Sequence, residues 1–280
     1  MIIDTHTHFY DPLRPQGVPW PSPENRLLYR TVLPEHLKPL AAAQGVTGTV
    51  VVEASGWLED NQWVLELAHN DPFIVGFVGN IAPNRPTFAS ELARFAANPL
   101  LRGIRVGGGF LAAVEQGSFL ADMTLLAAHD LSLDVLISAA AHFAGLSVLA
   151  ARVPDLRIVV NHVGSLPIDG AEISTAWVDR FRGAAAHANL FMKVSGLLEN
   201  SRVQPAPTDV EFYRPLLDCL WDVFGTERLL FGSNWPVCEQ AGSYATCVSL
   251  VRSYFGEKGE AASASYFWRN AQHVYQWRAR

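Results

Sequence analysis

Two imidazoles stand close to the start of the chain, His6 and His8, in the run Met-Ile-Ile-Asp-Thr-His-Thr-His. In extended backbone, residues i and i+2 face the same side, so both rings can aim at one site beyond a strand end. Neutral imidazoles ligate metals or carry protons. A polar strand end with Asp4 capping a turn is the plainer reading of the same residues. What decides between them is whether further polar groups sit at similar strand ends. They do: Glu53, Asn80, Arg105, Asn161 with His162, Lys193 with Ser195, and Asn234 each follow or close an apolar run.

The elements that must position these groups alternate regularly. Strand candidates fall at 2–4, 47–52, 74–78, 101–106, 133–137, 157–160, 190–194 and 229–231, and helical patterns separate nearly all of them. Alternation of strands with helices implies parallel pairing, and eight such units imply a closed (β/α)8 barrel. No glycine fingerprint follows the first strand, which argues against a doubly wound nucleotide binder. No linker divides the chain, so residues 1–280 are expected to form a single TIM-barrel domain. Asp60, Thr87, Ser174 and Asp209 are the expected helix caps. Asp209 precedes the clearest apolar stripe: Tyr213, Leu216, Leu217, Leu220, Trp221 and Phe224. Residues 9–39 are expected to be irregular because prolines recur through them, and a loop this long is often a pocket wall.

Composition narrows the function classes. The chain is 49% hydrophobic and 17% charged, with a formal net charge of -6. That is a folded protein without a basic stripe, so no nucleic acid is expected as partner. No apolar run approaches membrane-spanning length, and no signal peptide precedes the first strand, so a cytoplasmic location is expected. Cys219, Cys238 and Cys247 form no Cys-x-x-Cys pair, and an odd count fits a reducing compartment.

In a barrel of this kind, the active site lies at the C-terminal ends of the strands. Arg105 could clamp a carboxylate or lactone oxygen with its planar fork, or pair with a neighbouring acid. His162 is read as a ligand or proton donor. Lys193 is read as pairing with a carboxylate under the site rather than forming a Schiff base, and nothing in the sequence activates Ser195 as a nucleophile. Gly107 to Gly109 lack a following Gly-Lys-Ser/Thr, so they cradle no phosphate; they could let a substrate approach the backbone. Trp20, Trp57 and Trp235 are candidates for an apolar wall, with ordinary packing as the alternative. Asn80 and His142 are candidate substrate contacts. His36, His69, His129 and His187 belong to helices, and His273 lies in a tail that could close over the barrel or cover a neighbouring copy in a homo-oligomer.

These residues fall into a known pattern. The segments IDTHTHFY at 3–10, LRGIR at 101–105, NHVG at 161–164, KVSGL at 193–197, RLLFGSNWPV at 228–237 and NAQHVY at 270–275 resemble the amidohydrolase superfamily. The resemblance is to its amidohydrolase-related branch of sugar lactonases (fuconolactonase- and rhamnonolactonase-like) and 2-pyrone-4,6-dicarboxylate lactonase. It implies a TIM-barrel hydrolase in which water attacks the carbonyl of a small lactone. His6, His8 and His162 would then be the imidazole cluster and Arg105 the oxygen clamp. It also implies either no cofactor, as in the lactonase branch, or one divalent metal, Zn or Mn.

The chain departs from this pattern at the base. The general base of the family is an Asp after the eighth strand, and Asn234 stands there; an amide has no useful basicity. Glu53 then becomes the candidate base. With His6, His8 and His162 it would also give three nitrogens and one oxygen, a zinc-like set. A metal-dependent aromatic-acid decarboxylase of the same superfamily and a catalytically weakened binding barrel are the alternative readings.

Overall fold

The computed structural model describes residues 1–277. Eight strands form one parallel sheet in chain order: β1 (Ile3–Thr7), β2 (Gly48–Val52), β3 (Ile74–Gly79), β4 (Leu101–Gly107), β5 (Ser132–Leu136), β6 (Ile158–Val160), β7 (Leu190–Val194) and β8 (Leu229–Phe231). The sheet closes between β8 and β1. His8 N–H donates to Trp235 O at 2.9 Å, Asn234 N–H donates to His6 O at 2.8 Å, and Thr7 bridges to Trp235 in parallel register. This is the expected (β/α)8 barrel, with helices between the strands.

The first strand is longer than its apolar residues indicate. It continues through His6 to Thr7 because Thr5 and Thr7 are bound inside the barrel wall. Thr5 Oγ1 donates to Phe231 O, and Thr7 Oγ1 meets Thr49 Oγ1 at 2.7 Å. Both imidazoles are thus fixed by the end of a paired strand rather than by a loose turn.

Of the expected caps, Asp209 accepts from Glu211 N–H and does cap its helix. Thr87 and Ser174 occupy N-cap positions without a side-chain hydrogen bond. Asp60 is not a cap: it lies inside its helix, Asp60–Asn70, and pairs with Arg14 at 3.0 Å. This ion pair pins the proline-rich segment of residues 9–39 against the barrel rim.

Two apolar clusters hold the fold together. The larger fills the space between the strands and the surrounding helices. The smaller comprises Ile3, Val50, Val75, Val159, Phe191 and Leu230 with Val274, Tyr275 and Trp277 of the C-terminal segment. That segment plugs the end of the barrel where the strands begin. His273, whose ring lies 5.8 Å from Phe191, is therefore at the floor of the barrel, not over its mouth. Among the described residues, no helix is long and apolar enough to cross a membrane.

Candidate functional site

At the C-terminal ends of the strands, three imidazoles meet. The His6 and His162 ring centroids are 4.3 Å apart, and those of His6 and His8 are 5.0 Å apart. The strand supplies His6 and His8. His162 arrives differently, from a left-handed turn in which His162, Val163, Gly164 and Ser165 all have positive φ. Such angles are unfavourable for a β-branched residue such as Val163. The turn swings His162 towards β7, where its Nδ1 meets Ser195 Oγ at 2.9 Å.

Burial keeps these rings neutral. His6 is held well below the usual imidazole range, first by burial, then by His162 and Lys193. His162 is held down by burial and by Arg105, and His8 is lowered to about 3 by the same two causes. Lys193 reaches His6 Nδ1 at 3.4 Å and can only donate to it, so the proton of neutral His6 sits on Nε2. That N–H is buried and has no acceptor within the protein.

Arg105 and Glu53 face one another. Arg105 Nε donates to the Glu53 carboxylate at 2.8 Å, and Nη2 donates to the Glu53 backbone oxygen at 3.0 Å. The pairing spans the intervening strand β3. It leaves Nη1 for a substrate oxygen and cancels the formal charge of the guanidinium. Glu53 borders two cavities, one shared with Asn80, Arg105 and Phe110, the other with Tyr10, Arg14, Trp20 and Trp63.

Beneath the imidazoles, Lys193 is paired with Asp134 at 2.7 Å, as its sequence context implied, and both side chains are fully buried. Lys193 also donates to Thr5 O at 2.7 Å. It supports His6 from below. Asn161 is fully buried with neither side-chain atom partnered, an amide free to donate and accept.

The remaining candidates separate clearly. Trp20 packs on His8, with ring centroids 5.8 Å apart, and joins the wall. Trp235 is buried against Phe9 and donates its Nε1–H to Glu239 at 2.8 Å, so it serves packing. Trp57 is 41% exposed and borders neither cavity of Glu53. His142 lies against Gly108, where an added Cβ would come within 1.9 Å of its Nδ1. That contact, with a short helix at Gly109–Ala112, gives Gly108 a packing role in place of the expected close approach of substrate.

Sequence reasoning missed Glu199, in the turn after β7. Asn234 Nδ2 donates to Glu199 Oε1 at 2.7 Å, and Glu199 Oε2 is buried without a partner. Burial raises this carboxyl to about 7, opposed in part by a backbone hydrogen bond and by Asn234. Asn234 Oδ1 in turn lies 3.3 Å from His8 Nε2, whose other nitrogen meets Val52 O at 2.9 Å. The available signal was positional. An acid is absent at 234, and another occurs five residues beyond the neighbouring strand.

A metal is the remaining question for this donor set. Glu53, the expected oxygen ligand, is turned to Arg105, and His6 carries its proton on the nitrogen that would have to coordinate. Among the described residues, no group of three or more His, Cys, Asp or Glu is placed to hold a metal ion. With the Glu53 carboxylate engaged by Arg105, the set of three imidazoles and Glu53 is not assembled around one point.

Comparison with known proteins places the chain in a family. The amidohydrolase family model matches residues 3–277. An L-fucono-1,5-lactonase of Burkholderia ambifaria is 32% identical over 287 residues, covering 98% of this chain and 95% of that protein. An L-fucono-1,5-lactonase of Burkholderia multivorans is 30% identical over 276 residues, covering 95% and 92%. A crystal structure of a Burkholderia multivorans amidohydrolase with bound zinc superposes with a TM-score of 0.88 at 29% identity, covering 99% of this chain and 100% of that one.

Proposed function

The chain belongs to the amidohydrolase family, and on that footing we propose that it opens the ester bond of a small sugar-acid lactone by attack of an activated water. The reaction class is supported by two relatives that are L-fucono-1,5-lactonases and align along nearly the whole chain. The choice of a hydroxylated, uncharged lactone rests on one observation: the Arg105 guanidinium is already neutralised by Glu53 at 2.8 Å. A dicarboxylate lactone, or the carboxylate of an aromatic acid to be decarboxylated, needs a cation without its own counter-ion. Here the mouth offers neutral imidazoles, the Asn161 amide and an ion pair, which suit hydroxyl groups.

The roles follow from donors and acceptors. The His6 Nε2–H and the Arg105 Nη1 edge are preset donors for the carbonyl oxygen. Their bonds strengthen as that oxygen gains charge in the tetrahedral state. Trp20 packs on His8 as an apolar part of the wall, and the cavity that Glu53 shares with Asn80, Arg105 and Phe110, about 190 Å³, gives room for the sugar ring. The His162–Ser195 contact fixes the third imidazole at the edge of the site.

The test is a pH-stat panel of aldono-1,4- and 1,5-lactones alongside a pyrone dicarboxylate, with and without chelator. Uncharged aldonolactones should be hydrolysed at least about tenfold more efficiently than the dicarboxylate, because a site built for one partner penalises an unpaired charge. Silence across the lactones at high enzyme concentration overturns the reading.

A further inference from the structure

A lactonase whose eighth strand ends in Asn234 lacks a base at that position, and the structure holds a carboxylate beside it. We infer that Glu199 is the general base that takes the proton of the attacking water, with Asn234 as the positioning residue that orients it. The inference rests on the lactonase reading above.

The other carboxylates at this site are engaged. Asp4 accepts from the His6 and Ser233 backbone N–H groups and from the Tyr244 hydroxyl. Asp134 accepts from Lys193 and Tyr275. Glu53 is paired with Arg105. Glu199 has one oxygen fixed by Asn234 and the other buried and unpartnered. A buried acceptor left without a partner is costly, and a water held there would satisfy it. Asn234 is itself held firmly: its φ is +62°, and its backbone N–H is bonded to His6 O.

Asn234 joins two groups of the site: its amide lies 3.3 Å from His8 Nε2 and donates to Glu199 Oε1 at 2.7 Å. The other titratable groups around Glu199 are Tyr213, raised to about 12, and Cys238, raised well above the usual thiol range, so both stay neutral.

The step balances on these residues alone. The water oxygen bonds to the lactone carbonyl carbon while one water proton passes to Glu199 Oε2. The carbonyl π pair moves onto the carbonyl oxygen, held by the His6 and Arg105 donors. On collapse that pair re-forms the carbonyl. The bond from the carbonyl carbon to the ring oxygen breaks, and the ring oxygen leaves with its electron pair and takes the proton from Glu199. The product is the open hydroxy acid, and Glu199 returns to its carboxylate.

The experiment compares wild type with Glu199→Gln and Glu199→Asp on the best aldonolactone, across pH 5 to 9. Glu199→Gln keeps the shape and the hydrogen bond to Asn234 and removes the basicity. Its kcat is expected to fall by at least about 100-fold, the low end of what a general base supplies. The rise of wild-type kcat through pH 7 should vanish with it, while thermal melts stay cooperative. Glu199→Asp should recover part of the rate. If wild type hydrolyses lactones and Glu199→Gln keeps its rate within about threefold and the same pH profile, Glu199 is not the base although the lactonase reading stands. If wild type hydrolyses no lactone, both fall.

Discussion

Lys193 Nζ lies 2.7 Å from Asp134 Oδ2 with both side chains fully buried inside the barrel, directly under His6. Burial lowers the Lys193 ammonium and the Asp134 charge offsets that, so the pair is held by mutual attraction in a site without solvent. Tyr275 donates its hydroxyl to Asp134 at 2.9 Å, which ties the C-terminal segment to the same pair. Removing one member leaves the other charge buried and alone. Lys193→Met is therefore expected to destabilise the protein by about 3–5 kcal/mol in urea melts. The double variant with Asp134→Asn should recover much of that loss. Additive losses would show that the two side chains stabilise the barrel independently.

Glu53 is to Arg105 what Asp134 is to Lys193, a carboxylate paired with a cation. It cancels Arg105, and Glu53→Gln frees that charge at the mouth while keeping the side-chain shape. The variant should gain on anionic lactones and lose on uncharged ones. The ratio of kcat/KM between a dicarboxylate lactone and an aldonolactone is expected to shift by about tenfold or more towards the anion. An unchanged ratio would remove Glu53 from substrate choice.

The barrel was legible because burial on both faces writes parallel strands as largely apolar runs, and all eight overlap the expected segments, although β1 runs on beyond its apolar start through Asp4 to Thr7. Groups on strand ends were legible for the same reason: once His6, His8 and Arg105 are placed on strands, the fold brings them to one mouth. What was hidden depends on loops and on reach. The Glu53–Arg105 pair crosses β3, and no periodicity reports which side chains meet over an intervening strand. Glu199 enters the site because the chain folds back at Gly196, with φ at +67° and its oxygen accepting from Asn200 N–H. That turn is fixed by tertiary packing, so a Glu in a short loop carried no signal of its own. Asp60 looked like a cap because its partner, Arg14, lies 46 residues away.

The pH dependence of stability distinguishes Glu199 from the imidazoles, because the two act in opposite directions. Burial raises Glu199 from 4.5 to about 7, so between these values the folded chain holds a proton that the unfolded chain has released. Its contribution to stability is therefore greatest at low pH, falls as pH rises through that window, and is level above it. The imidazoles have lowered values, His8 to about 3, so their contribution is present above the ordinary 6.5 and is lost on acidification. Wild-type stability should accordingly fall below about pH 6, where up to three imidazoles outweigh one carboxyl. Substituting Glu199→Gln isolates the carboxyl. Denaturant melts at intervals from pH 4.5 to 8 should show the variant gaining on wild type as pH rises, by up to about 3 kcal/mol, with no further change above about pH 7.5. A difference that does not vary with pH would mean that Glu199 titrates as an ordinary carboxylate, and so could not take a water proton near neutrality with the driving force that a raised value provides.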